Sequence, residues 1–271
     1  MAPREQRAAN PNPSSASAGM LLAIDVGNTH TVLGLYEGAA LRQHWRLDSD
    51  RARTADEYGV VLRQLFAAKG PPSLSGIVIS SVVPPLTSVI DELCRTYLGI
   101  APLLVGPGVR TGMPILYERP QELGTDRLVN AVAAYERTRA ATVVVDLGTA
   151  TKVEFVTEKG EYAGGVIAPG LGIASDALFE RTAKLYRVEL AKPPHVVGRN
   201  TVQAIQSGLV YGYVALVDGL VTRIRNEHAA HARVIATGGF APLIAPESET
   251  IESVDEFLTL DGLRLIYARN V

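Results

Sequence analysis

The chain has one cysteine, one tryptophan and three methionines in 271 residues, and aromatic residues make up only 6% of it. The single thiol, Cys94, excludes an internal disulfide framework and a cysteine-based zinc site. It falls in the helix-like run Ser88 to Leu98 and reads as a buried structural thiol of a reducing compartment, so the cytoplasm is the expected location. Charge of one sign is lacking as well. The 26 basic and 28 acidic residues nearly balance and no Lys/Arg-rich block stands out, which points away from nucleic acid and membrane surfaces as partners. No apolar run reaches the roughly 20 residues that a bilayer requires, because charges or prolines interrupt each candidate. There is no Gly-x-x-x-x-Gly-Lys-Ser/Thr string, which excludes a P-loop, and Gly106-Pro-Gly108 does not extend into the dinucleotide fingerprint. The histidines His30, His44, His195, His228 and His231 show no zinc-type spacing.

What the sequence does contain is one pattern written twice. Leu21-Leu-Ala-Ile-Asp25-Val-Gly27-Asn28-Thr29 and Val143-Val-Val-Asp146-Leu-Gly148-Thr149-Ala150-Thr151 each run from apolar residues to an Asp, a Gly and small polar residues. Such a segment describes a strand that ends in a tight turn, with backbone N–H groups and hydroxyls able to hold phosphate oxygens and a carboxylate beside them for a cation. One copy alone is ordinary Asp/Gly turn chemistry. Two copies suggest two halves facing one nucleotide.

The surrounding pattern supports duplication. Residues 1–19, rich in Ala, Pro, Ser and Asn and without an apolar core, read as a disordered extension. After Asp25 come strand-like runs at Thr31 to Tyr36 and Leu41 to Leu47, helical spacing over Asp56 to Lys69, and a β-branched strand from Ile77 to Val83 that Pro84 and Pro85 end. Ser88 to Leu98 is helical, Leu103 to Val105 a short strand, and Gly106 to Pro120 a functional loop. The second half repeats the order with Val143 to Asp146, Lys152 to Thr157, Tyr162 to Ile167, a long helix from Thr201 to Glu227, a strand from Arg233 to Thr237 and a Gly238-Gly239 turn. Two domains are expected, residues 20–138 and 139–271.

Between the copies, Gly124-Thr125-Asp126-Arg127 opens a helix with an apolar stripe at Leu128, Val129, Val132 and Ala133. Thr125 there suits an N-cap and Asp126 a favourable first-turn anion. The same helix end would also hold Asp126 ionised to accept the proton of an attacking hydroxyl, with Arg127 forking onto a substrate carboxylate.

Taken in order, the chain resembles two known groups. Three strands, a helix, a strand and a helix per half resemble a ribonuclease-H-like unit. Two such units with a cleft between them resemble the α/β fold of the actin, hexokinase and Hsp70 ATPase superfamily. The motifs Asp25-Val-Gly-Asn-Thr29, Arg53-Thr-Ala-Asp-Glu57-Tyr58, Ser80-Ser-Val-Val-Pro-Pro85, Gly124-Thr-Asp-Arg127, Asp146-Leu-Gly-Thr-Ala-Thr151, Gly164-Gly-Val-Ile-Ala-Pro-Gly170, Gly198-Arg-Asn-Thr201 and Ala236-Thr-Gly-Gly239 resemble the type III pantothenate kinases.

That resemblance implies ATP-dependent phosphorylation of pantothenate to 4'-phosphopantothenate, the first step toward coenzyme A, with Mg2+ accompanying ATP. It implies that Asp25, Val26, Gly27, Asn28, Thr29, His30, Thr31 and Val32 hold ATP phosphates, aided by Thr149 and by Gly238 and Gly239. Asp25 would serve Mg2+ directly or through water, and Asp146 a monovalent cation, K+ or NH4+. Asp126 becomes the catalytic base. Tyr117, Gly124, Thr125, Asp126 and Arg127 would contact pantothenate, and Thr201 would reach the same site from the other subunit of a homodimer.

Departures from the family pattern are equally specific. Lys152-Val153-Glu154 stands where Thr-Phe-Asp is expected, Arg119 where Asn is common, and Tyr186 where Pro is usual. Lys152 could pair on Glu154's side of the sheet, or place its own charge where the monovalent ion would sit. A non-catalytic relative, or a kinase of another small hydroxy-carboxylate, is the alternative reading. Tyr117 could also be surface packing, and Thr201 a simple cap of the helix that follows.

Overall fold

In the computed structural model, residues 19–68, 70, 72–182 and 185–271 are described. The expected extension, residues 1–19, lies outside them but for Gly19. The first sheet is built from β1 (Met20–Val26), β2 (His30–Glu37), β3 (Ala40–Asp48), β4 (Leu74–Ser81) and β5 (Leu103–Leu104), in the order β3-β2-β1-β4-β5. The second uses β6 (Thr142–Leu147), β7 (Ala150–Val156), β8 (Tyr162–Pro169), β9 (Arg233–Thr237) and β10 (Ser253–Val254), in the order β10-β9-β6-β7-β8. Read from the opposite edge the second order repeats the first, so the chain holds two ribonuclease-H-like units, as the duplicated pattern implied. The central strands β1, β4, β6 and β9 pair in parallel, β1 with β4 and β6 with β9. Their near-continuous apolar runs follow from burial on both faces.

Helices make three layers around the sheets. On one face of the first sheet, Leu22, Ile24, Ile77 and Ile79 pack against α1 (Ala55–Ala67) and α2 (Pro84–Tyr97) through Tyr58, Leu62, Leu86, Ile90 and Leu93. Thr54 and Glu57 close a capping box on α1. Pro84 and Pro85, expected only to end a strand, start α2 in its first turn, where a missing N–H costs nothing. Beyond the second sheet, α5 (Thr201–Glu227) covers Val143, Val145 and Val234 with Leu209, Val210, Val217 and Val221. The helix α4 (Leu171–Arg181) was not legible in the sequence, and the short α6 (Ala241–Ile244) follows β9.

The middle layer is shared. α3 (Thr125–Thr138) and α7 (Leu258–Ala268) lie between the sheets. Leu260, Leu263 and Ile266 of α7 meet Leu21, Ala23 and Val78 of the first sheet, while Ala133, Ala134 and Leu258 meet Val144 and Ile235 of the second. Squeezed from both sides, α3 buries every residue from Arg127 to Ala134. The layer also sets the cleft, because it aims the N-terminus of α3 at the carboxyl ends of β1, β4 and β6.

Two expectations need comment. α5 is long and apolar enough by composition to cross a bilayer, with an 18-residue window of mean hydropathy 1.4, which corrects the reading that no segment qualifies. Here it forms one wall of the second core. Cys94 is fully buried as expected, and burial pushes its thiol up to about 12. Native protein should therefore resist iodoacetamide at neutral pH and take up one equivalent only when denatured, as read by mass spectrometry.

Candidate active site

Each copy of the repeated pattern places its Asp one residue before the end of a central strand. Asp25 lies opposite Val32 on β2 and Ser80 on β4. Asp146 lies opposite Lys152 on β7 and Thr237 on β9. The turns that follow meet across the cleft, where Thr29 Oγ1 and Thr149 Oγ1 are 2.8 Å apart. Gly238 completes the wall with a positive φ of 93°, and a Cβ there would lie 2.6 Å from the Leu147 carbonyl and 2.8 Å from Asp146 Oδ1. Only Gly allows that approach. Gly239 follows beside Arg46 of β3.

Not every residue expected in the phosphate cradle presents its side chain there. Val26 is fully buried in the core under α1 and α2, Thr31 hydrogen-bonds Ser49 (2.9 Å) out of solvent, and Val32 packs toward the middle layer. Asn28 accepts from Arg51 (3.1 Å), and the exposed His30 lies 3.8 Å from Asp48. What the first turn offers a phosphate is therefore mainly backbone N–H, with Thr29.

Asp126 sits in the first turn of α3, and its two oxygens do different things. Oδ1 accepts the Arg127 N–H at 2.8 Å, whereas Oδ2 is 2.6 Å from Lys152 Nζ. The same Nζ lies 2.8 Å from Asp146 Oδ2. Lys152 does not pair with Glu154, whose partner is Arg127; its charge stands between Asp126 and Asp146. Burial acts to lower the Lys152 pKa, but the charges and hydrogen bonds of Asp146 and Asp126 outweigh it and hold the ammonium protonated. Thr125 does not cap the helix as expected, since Gly124 occupies the N-cap position. Its hydroxyl instead lies 3.0 Å from Ser80 Oγ and donates to the Ser81 carbonyl (3.2 Å).

Arg127 is buried with its partner Glu154. Nε donates to Oε1 at 2.7 Å and Nη2 to Oε2 at 2.9 Å, while the Tyr162 hydroxyl also donates to Oε2. Tyr117 and Tyr162 lie over the guanidinium at 5.7 and 5.9 Å. The fork expected to clasp a substrate carboxylate is thus committed to Glu154, leaving Nη1 free of that pair. Arg119 plays no part here. It makes an exposed pair with Glu122. Thr201 is exposed in the first turn of α5, and the cap of that helix is Asn200, which accepts from Gln203 N–H, so the capping alternative for Thr201 fails.

Three residues of the site had weaker signals in sequence. Ser80 was visible only within the Ser80–Pro85 motif, with no role of its own, Tyr162 only as a member of a strand run, and the role of Glu154 depends on a partner 27 positions away.

Asp25, Asp126 and Asp146 together make the cleft floor strongly acidic. Burial first, then the neighbouring Asp126 and Asp146, push the Asp25 carboxyl from 3.8 up to about 7, against the opposing pull of Lys152 and the Ser80 hydroxyl. A carboxyl raised in the fold favours folding fully below its unfolded value, and that contribution is lost as pH rises through about 7. If a divalent cation binds at Asp25, it displaces a proton there. Calorimetry of magnesium–ATP binding near pH 6 in buffers of different ionisation heat should show proton release that vanishes well above pH 7. Among the described residues no three His, Cys, Asp or Glu side chains surround one point as a metal cage. Asp25, with Asp126 and Asp146 beside it, offers the one or two carboxylates that Mg2+ takes.

Comparison with known proteins gives a consistent picture. The sequence profile of type III pantothenate kinases matches residues 21–223. A type III pantothenate kinase of Anaeromyxobacter sp. (strain K) is 59% identical, covering 93% of this chain and 100% of its own length. One from Myxococcus xanthus (strain DK1622) is 56% identical over 93% and 99%. Among solved structures, the activator of the 2-hydroxyisocaproyl-CoA dehydratase from Clostridium difficile with bound ADPNP has a TM-score of 0.54 at 11% identity, covering 91% of this chain and 93% of that one. At that identity the likeness concerns the fold alone.

Proposed function

The chain belongs to the type III pantothenate kinase family, and from that premise we propose how its cleft transfers a phosphoryl group from ATP to pantothenate. As a member of the family it phosphorylates pantothenate to 4'-phosphopantothenate in coenzyme A biosynthesis. The observation that carries the site reading is the convergence of Asp25, Asp126 and Asp146 beneath two turns joined at Thr29 and Thr149. Phosphoryl transfer needs little covalent help from a protein, so positioning and charge do most of the work.

In this reading the backbone N–H groups of Asn28 and Thr29, in a turn that Gly27 closes by donating to the His30 carbonyl, hold the phosphates of ATP with Thr149, Gly238 and Gly239. Asp25 would hold Mg2+, directly or through water, and the ion would neutralise charge on the transferring phosphoryl group. Asp126 accepts the proton of the attacking hydroxyl. The Arg127 N–H orients Oδ1 and Lys152 orients Oδ2, which leaves each oxygen a further lone pair for that proton. Tyr117, Gly124, Thr125 and Arg127 line the pantothenate side, with Nη1 of Arg127 as the donor for the carboxylate.

The monovalent cation fits poorly. Asp146 Oδ2 is taken by Lys152, whose ammonium already stands against the carboxylate at 2.8 Å. No step is assigned to it.

We further propose a homodimer in the cytoplasm, with Thr201 serving the other subunit's site. Large apolar side chains stand exposed along β8, α4 and the segment leading to α5, among them Ile167, Ile173, Phe179, Val196 and Val197. Along α5, a Cβ added at Gly208, Gly212 or Gly219 would meet open space. Exposed glycines weaken a helix by about 1 kcal/mol each relative to Ala, a cost that close approach of a second copy would offset.

A coupled ADP-release assay with purified protein, magnesium–ATP and pantothenate tests the function. Turnover that requires pantothenate is the expected result, and its absence with every monovalent salt would reject the reading.

A further inference from the structure

We propose that Lys152 is a built-in monovalent cation, taking within the chain the place that K+ or NH4+ would otherwise hold at Asp146, so that catalysis proceeds without either ion. The inference rests on the kinase reading above, because the reaction is what the charge would serve.

The placement follows from strand register. β6 and β7 pair antiparallel with Asp146 directly opposite Lys152, so the two side chains leave the same face of the sheet. In the first copy, Asp25 is opposite Val32, seven positions on, whereas Lys152 follows Asp146 by six. A turn one residue shorter thus brings a lysine to the position that an apolar residue fills in the other half. Alternation along β7 then sends Val153 to the second core and Lys152 and Glu154 to the face under α3. There Lys152 meets Asp126 and Glu154 meets Arg127.

Chemistry supports the substitution. A lysine head group is an alkylated ammonium ion, with the same charge as NH4+ or K+ and three N–H donors. Two of its possible bonds are made, at 2.6 Å to the proposed base and 2.8 Å to Asp146, with all three side chains less than a fifth exposed. Tethering raises its local concentration far above any free ion, so dialysis cannot remove it. Charge points the same way: Lys152 already supplies one positive charge to the pair Asp126 and Asp146. A second monovalent cation would have to enter beside an ammonium in a nearly dry site.

Lys152 in this role is a positioning residue acting through Asp126, and the test reads ion selectivity rather than activity alone. With pantothenate and magnesium–ATP, wild-type turnover should stay within about twofold when KCl or NH4Cl replaces tetramethylammonium chloride at constant ionic strength. Lys152→Ala should lose about tenfold or more in kcat and recover most of it with NH4+ or K+, but not with tetramethylammonium. Thermal unfolding supplies a readout independent of substrate. K+ should stabilise Lys152→Ala selectively and leave wild type unmoved.

Wild-type turnover that climbs about tenfold with K+, or selective stabilisation of wild type by K+, overturns the proposal. So does a folded Lys152→Ala that no ion rescues or stabilises. If the variant does not fold, the two wild-type titrations decide. If wild type never phosphorylates pantothenate, the kinase reading fails while the unfolding measurement still answers the question of the ion.

Discussion

Asp126→Asn is expected to lower kcat for pantothenate phosphorylation by about 10²–10⁴-fold, the contribution of a positioned general base. The substitution keeps the shape, and Oδ1 can still accept the Arg127 N–H. What it removes is basicity, together with one of the two anions facing Lys152. KM for ATP should change little, because the phosphate turns belong to β1, β6 and β9 rather than to α3. A variant whose kcat stays within about threefold of wild type would mean that proton transfer follows another route or does not limit the reaction.

The second large effect is structural first and kinetic second. Glu154→Ala strips a buried guanidinium of both hydrogen bonds and removes the acceptor of the Tyr162 hydroxyl. Losing one partner of a buried, forked ion pair costs about 3–5 kcal/mol, because the remaining charge stays in a poor solvent. For a chain of this size that corresponds to a fall in Tm of roughly 10 °C. Arg127 and Tyr117 would lose their fixed positions, so KM for pantothenate should rise as well. Glu154→Asp retains the charge but shortens the reach, and its losses should be smaller. The fit is close enough that the opposite strand carries Gly165, where a Cβ would lie 2.1 Å from Glu154 Oε2. A Glu154→Ala protein melting within about 2 °C of wild type would show that the pair contributes no net stability.

These two residues also mark how far the sequence could be read. The paired Asp turns were legible because everything that makes them is local: an apolar run, then Asp, Gly and hydroxyls, in both halves. The order of strands followed from the same duplication. Arg127 was legible as a charged residue near a helix start, but its burial was not, because that depends on Glu154 arriving from β7 and on α3 being covered from two sides. The choice for Lys152 turned on a hairpin register that pairs it with Asp146, and a one-residue difference between the two turns decides that. Thr125 misled for a related reason. Capping preference is a weak local force, and a hydroxyl partner at Ser80, 45 positions away, outweighed it.

The shared middle layer has a consequence for how the protein is made. The first sheet is complete in sequence by Leu104, yet one of its faces is covered by α7, whose last residues come from the final dozen positions of the chain. While the polypeptide leaves the ribosome, that face can rest on α3 but not yet on α7. Leu21, Ala23 and Val78 must wait for Leu263 and Ile266. The half that is synthesised first is therefore the half that is finished last, and ending the chain before Leu263 would leave its earliest strands short of cover.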